Sequence, residues 1–147
     1  MTGRSRREVL VLGGVALAVA GSAAHATPQE AADAIAKFTG GKPTVPGKIT
    51  IDLPEIAENG NTVPFAVTVE SPMTAEDYVS DILVVAEANP RPHIVRFKLT
   101  PMCARADVAT RIRLAATQDV TVVAKTSKGQ VISAKRAVKV TVGGCGG

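Results

Sequence analysis

From Lys48 onward the apolar residues of this chain recur at every second position, and that period limits what it can fold into. Ile49, Ile51 and Leu53 alternate with Lys48, Thr50 and Asp52; after the turn Glu58-Asn59-Gly60-Asn61, residues Val63, Phe65, Val67 and Val69 share one face. Side chains of an extended strand point alternately to opposite faces, so such runs bury one face and wet the other. Further short strands are predicted at Ile82–Ala86, Ile94–Leu99, Val108–Leu114, Val120–Lys125 and Val131–Val142, the last long enough to carry one break. In the run from Val108, the side chains of Val108, Thr110, Ile112 and Leu114 are expected to face the core, with Arg111 and Arg113 on a solvated face. Asn89-Pro90-Arg91-Pro92 and Ser127-Lys128-Gly129 are rich in residues that stop strands and turn the chain. Seven or so short strands with turns between them predict an all-β, immunoglobulin-like antiparallel β-sandwich, with a small barrel as the other arrangement.

One segment has the helical period instead. Between Thr27 and Gly41, Ala31, Ala34, Ile35 and Phe38 follow the i, i+3, i+4, i+7 spacing of a single apolar stripe. Thr27 is placed to cap this helix, Pro28 sits where a missing N–H costs nothing, Glu30 completes a capping box, and Gly40-Gly41 ends it. The expectation is a short N-terminal helix packed against the sandwich.

Residues 1–26 have the pattern of an export signal: a basic start, an apolar run from Val9 to Ala20, and the small-residue cleavage pattern Ala24-His25-Ala26. The run is shorter than the ~20 residues of a spanning helix. Ser5-Arg6-Arg7-Glu8-Val9-Leu10 resembles a twin-arginine signal, which carries proteins across already folded. The expected organisation is a signal peptide at 1–26, a carrier domain at 27–142 and an arm at 143–147, the mature protein being soluble in a bacterial periplasm. Such export fits a chain that must first acquire a cofactor or a partner, and no cofactor ligands are evident.

The charge excludes one class of function. Of the 17 Lys and Arg and 13 Asp and Glu, Arg4, Arg6, Arg7 and Glu8 belong to the leader, leaving 14 basic against 12 acidic residues. With aromatics at 3%, there is neither a basic stripe nor a stacking platform for nucleic acid. Beyond residue 26, His93 is the single histidine and Cys103 and Cys145 the only cysteines, so neither a metal site nor a self-contained catalytic centre is expected. His93 reads as a loop residue, and Met73 and Met102 as core or loop fillers.

The chemistry is concentrated at the end: Val140-Thr141-Val142-Gly143-Gly144-Cys145-Gly146-Gly147. Gly143, Gly144, Gly146 and Gly147 surround one thiol, and glycine, lacking Cβ, is expected to make this pentapeptide mobile and thin. Nothing local depresses the thiol pKa from its ordinary ~8.5, and no base or second cysteine of a Cys-x-x-Cys pair is adjacent, so it cannot catalyse unaided. It can hold a covalent cargo that other enzymes attach, modify and remove. Three other readings compete: a disulfide with Cys103, a frayed end, and a lipidation signal, for which Cys145 is third rather than fourth from the end.

These residues resemble the SoxY family, the cysteine-bearing subunit of the SoxYZ sulfur carrier. The resemblance rests on Gly143-Gly144-Cys145-Gly146-Gly147, with Arg111-Ile112-Arg113-Leu114-Ala115, Val138-Lys139-Val140-Thr141-Val142 and Ser71-Pro72-Met73-Thr74 in support. It implies that Cys145 binds the intermediates of periplasmic thiosulfate oxidation covalently. It further implies that SoxZ is the heterodimer partner and that the haem enzyme SoxAX, the hydrolase SoxB and the dehydrogenase SoxCD act on the cargo in turn. Cys103 is no part of the motif. Two other functions remain to be weighed: a ubiquitin-like sulfur donor, loaded on its terminal carboxyl, and a periplasmic binding or adhesion module whose terminal thiol crosslinks chains.

Overall fold

The computed structural model describes residues 28–144. The expected export signal and the terminal Cys145, Gly146 and Gly147 lie outside the described residues. The chain runs through α1 (Pro28–Thr39), β1 (Val45–Pro46), β2 (Ile49–Asp52), β3 (Ile56–Asn59), β4 (Val63–Val69), β5 (Val79–Ala86), β6 (His93–Lys98), β7 (Ala106–Ile112), β8 (Gln118–Thr126) and β9 (Val131–Val142). A 3₁₀ turn, Pro101–Cys103, precedes β7. Two sheets face each other: a larger one ordered β1-β9-β8-β5-β6, with β3 also on β9, and a smaller one ordered β2-β4-β7. The architecture is the expected immunoglobulin-like sandwich.

The alternating residues of β4 do what their period requires. Val63, Phe65, Val67 and Val69 are all buried, and they meet Ile82, Val84, Val120, Val122 and Val138 of the facing sheet in one core. The continuously apolar β5 needs a second cover, because Leu83 and Val85 point to the other face. That cover is α1, whose Ala31 and Phe38 pack with Leu83, Val85, Val123 and Val131. Arg96 and Lys125 lie over the Phe38 ring, 5.2 and 4.5 Å from its centroid, where the ring face attracts cations. The helix ends as its glycines dictate: Gly40 and Gly41 have φ of 67° and 78°, and the Gly41 N–H donates to the Ala36 carbonyl at 3.0 Å.

Several boundaries and faces differ from the sequence expectation. The turn expected over 58–61 narrows to Gly60 and Asn61: Glu58 and Asn59 end β3, which runs parallel to β9, with Ala57 opposite Val140 and Asn59 opposite Val142. The two-residue β1 is also parallel to β9, and neither short strand has an alternation long enough to be seen in sequence. The strand β9 is unbroken, and its hairpin with β8 turns at Gly129, with φ of 79°. His93 opens β6 rather than sitting in a loop. Thr110 is exposed although its period places it inward: β7 is an edge strand, and the sheets stand apart beside it. Met73 is buried, whereas Met102 is 95% exposed and fills no core.

Candidate functional site

The strand β9 carries the chain to the expected carrier arm, and two backbone segments gather round its exit. Gly60 N–H donates to the Val142 carbonyl at 2.7 Å, Leu114 N–H to the Gly60 carbonyl at 2.8 Å, and Gly144 N–H to the Leu114 carbonyl at 2.9 Å. On the β8 side the Thr117 hydroxyl accepts from Val140 N–H at 2.9 Å and takes over where the β8 ladder ends. The arm is thus rooted in a collar made from the β3–β4 turn and the β7–β8 loop.

The collar explains its glycines. A Cβ on Gly60 would strike the Leu114 carbonyl oxygen and Gly144 N, and one on Gly143 would strike the Ala115 carbonyl oxygen. A Cβ on Gly144 would stand 2.7 Å from the Gly60 carbonyl oxygen. Gly143 and Gly144, expected to belong to a mobile arm, border the collar in this structure, where Gly144 is buried and hydrogen-bonded. They are glycines because two loops close on the backbone there, leaving no room for a side chain.

A buried polar network keeps the β7–β8 loop in place. Asn89, 1% exposed, donates through Nδ2 to the Arg113 carbonyl at 2.8 Å. Its Oδ1 accepts from Ala115 N–H and from Gln118 Nε2, both at 2.9 Å. Gln118 in turn donates to the Ala116 carbonyl and accepts from Ala88 N–H at 2.7 Å. An amide side chain offers both donors and an acceptor, which suits it to hold a loop whose own carbonyls and N–H groups have no ladder partner. By sequence alone Asn89 and Gly60 are ordinary turn residues and Gln118 has no role. The one signal available is an isolated Asn beside a Pro-rich turn, and it does not distinguish a buried Asn from an exposed one.

Cys103 is a free, exposed thiol in the 3₁₀ turn before β7, and Leu114 lies just past the other end of that strand. The eight steps from Ala106 to Leu114 span about 26 Å of extended chain. Cys103 and Gly144 are therefore at opposite ends of the sandwich, beyond the ~7 Å Cα separation a disulfide allows. No group of three or more His, Cys, Asp or Glu among the described residues is placed to hold a metal ion.

The family model for sulfur oxidation protein SoxY matches residues 35–145, a span that takes in β1 to β9, the collar and Cys145. The chain belongs to the SoxY family. Among solved structures, this SoxY-family chain is similar to the sulfur carrier protein SoxY from Chlorobium limicola f thiosulfatophilum. The two are 33% identical with a TM-score of 0.66, over 79% of this chain and 100% of the other. A superoxide reductase (neelaredoxin) from Ignicoccus hospitalis matches with a TM-score of 0.57 and 19% identity, over 63% of this chain and 80% of that one. A putative superoxide reductase from Thermotoga maritima matches with a TM-score of 0.52 and 18% identity, over 70% and 89% of the two chains. At those identities the likeness to the two reductases shows the fold alone. No curated protein matches the SoxY-family chain.

Proposed function

We propose that this protein is a covalent sulfur carrier of a sulfur-oxidising pathway, with intermediates bound to Cys145. The observation that carries the reading is the similarity over the full length of the Chlorobium sulfur carrier protein. The collar adds a physical reason: a rigid root holds the arm's base at one end of the sandwich, so that the residues after Gly144 are offered to partners from a fixed place. An intrachain bridge to Cys103 would require one end of the sandwich to unravel.

On this reading the chain is a substrate of other enzymes rather than an enzyme. Joining thiosulfate to a thiol through its sulfane sulfur releases the thiol proton and two electrons, so loading needs an acceptor, the role the family resemblance gives to SoxAX. SoxB would then hydrolyse the terminal sulfonate off as sulfate, and SoxCD would oxidise the sulfane left behind. SoxZ is the proposed heterodimer partner. The leader pattern supports periplasmic delivery by the twin-arginine route, folded and already paired.

The test is the intact mass of the mature protein taken from periplasm without reductant. Sulfur-containing mass increments are expected in the wild type and in Cys103→Ser, and are expected to vanish in Cys145→Ser. Increments that persist in Cys145→Ser would refute the assignment.

A further inference from the structure

Six arginines lie among the described residues, and they divide into two sets. Arg96 pairs with Asp81, Arg105 with Asp107, and Arg136 donates to the Leu53 carbonyl. Arg91, Arg111 and Arg113 make no ion pair and no side-chain hydrogen bond among the described residues, and all three are exposed. These three line a single cleft of about 370 Å³, together with His93. The cleft opens where the edge strands β6 and β7 of the two sheets stand apart, and Ile94, Val95 and Ile112 also line it. Among the described residues, no carboxylate borders it.

This cleft adjoins the root of the arm. The Arg113 carbonyl is held by Asn89, and the next residue, Leu114, accepts the Gly144 hydrogen bond. One loop therefore forms both a wall of the cleft and a wall of the collar. From Leu114 back to Arg111 is three residues, about 10 Å of strand. One further residue beyond Gly144, with a thiosulfonate on its side chain, has a reach of the same order.

Exposed arginines without ion pairs that line a cleft beside apolar residues suit oxyanion binding, because the fork of N–H donors matches the geometry of such groups. We propose that the cleft of Arg91, His93, Arg111 and Arg113 is a subsite for the terminal sulfonate of cargo carried on Cys145. The inference rests on the carrier reading and adds to it which group of the cargo the sandwich itself holds. It also gives Arg111 and Arg113 a role beyond a solvated strand face.

The experiment uses the mature chain with Cys103→Ser, so that Cys145 is the sole thiol. Tetrathionate loads it with a charged group: the thiolate attacks a central sulfur, an S–S bond forms to give the protein thiosulfonate, and thiosulfate leaves with the electron pair of the broken bond. Methyl methanethiosulfonate loads a neutral methyl disulfide, methanesulfinate leaving. Intact mass tracks both reactions.

Loading by tetrathionate is expected to slow by roughly three- to tenfold in Arg111→Gln/Arg113→Gln while loading by the neutral reagent keeps its rate, since only the anionic reagent is attracted and hydrogen-bonded. In otherwise unsubstituted protein, the arginine side-chain N–H resonances of Arg91, Arg111 and Arg113 are expected to shift with the thiosulfonate and not with the methyl disulfide. If both reagents load Cys145 and neither readout separates charged from neutral, the subsite is refuted and the carrier reading stands. If the arginine substitutions impair only reactions with partner enzymes, the cleft docks an acidic partner surface and the proposal again fails. If Cys145 accepts no adduct, the carrier reading itself falls.

Discussion

Replacing Gly60 by alanine places a methyl group inside the collar. The added carbon meets Gly144 N at 2.7 Å, 0.7 Å short of the 3.4 Å where ordinary contact begins, and the Leu114 carbonyl oxygen stands closer still. Either the loops part, straining the hydrogen bonds of 2.7, 2.8 and 2.9 Å that close the collar, or the arm root lets go. Overpacking of this kind costs ~1–3 kcal/mol, and each weakened backbone hydrogen bond ~0.5–1.5 kcal/mol. A collar that stays shut should therefore lose about 2–4 kcal/mol of global stability, and one that opens must release Leu114 from Gly60 as well as Gly144 from Leu114, two hydrogen bonds or about 1–3 kcal/mol. Urea unfolding and amide hydrogen exchange together separate the two routes. With an m-value of ~2 kcal/mol/M, the first lowers the midpoint by about 1–2 M. The second lowers it less and strips protection from the Gly144 amide. A Gly60→Ala protein with both the wild-type midpoint and a protected Gly144 amide would refute the account of why these glycines are there.

Three further substitutions probe the same structure. Asn89→Ala leaves the Arg113 carbonyl and the Ala115 N–H without their partner, and should cost about 2–4 kcal/mol in chemical denaturation; a loss under about 0.5 kcal/mol would mean the network does not hold the loop. Phe38→Ala removes the ring that closes the outer face of β5 and should cost about 3 kcal/mol, with exchange protection lost from α1 before the sandwich. Lys135 is held above its ordinary 10.5, chiefly by its hydrogen bond to Glu87, with attraction from Glu87 and Asp119 adding and partial burial opposing. Its folded pKa lies above the unfolded one, so this stabilisation is complete well below pH 10.5 and fades as pH rises through the folded value. With the Lys135 side chain 50% exposed, the contribution should stay under about 1 kcal/mol. The stability difference between wild type and Lys135→Met should shrink as the pH is raised from neutral into that range, and a constant difference would discount the pair.

Local sequence determined the longer elements, because each of those is written in a short-range period. The helix stripe from Ala31 to Phe38 and its glycine stop were legible, as were the alternation of β4 and the full extent of β9. The motif around Cys145 was legible for the same reason, being contiguous. Undetermined by sequence is whatever depends on contacts between distant residues. The end of β3, Glu58 and Asn59, read as turn because its partner, β9, lies some 80 positions further along the chain. Gly143 and Gly144 read as slack, yet they are glycines because Gly60 and Ala115 close on them from two other parts of the chain. Asn89 is a turn residue by composition and a buried strut by position. Arg91, Arg111 and Arg113 were ordinary surface charges until two sheet edges brought them to one cleft. A residue's period fixes the face it shows, but packing decides what that face meets.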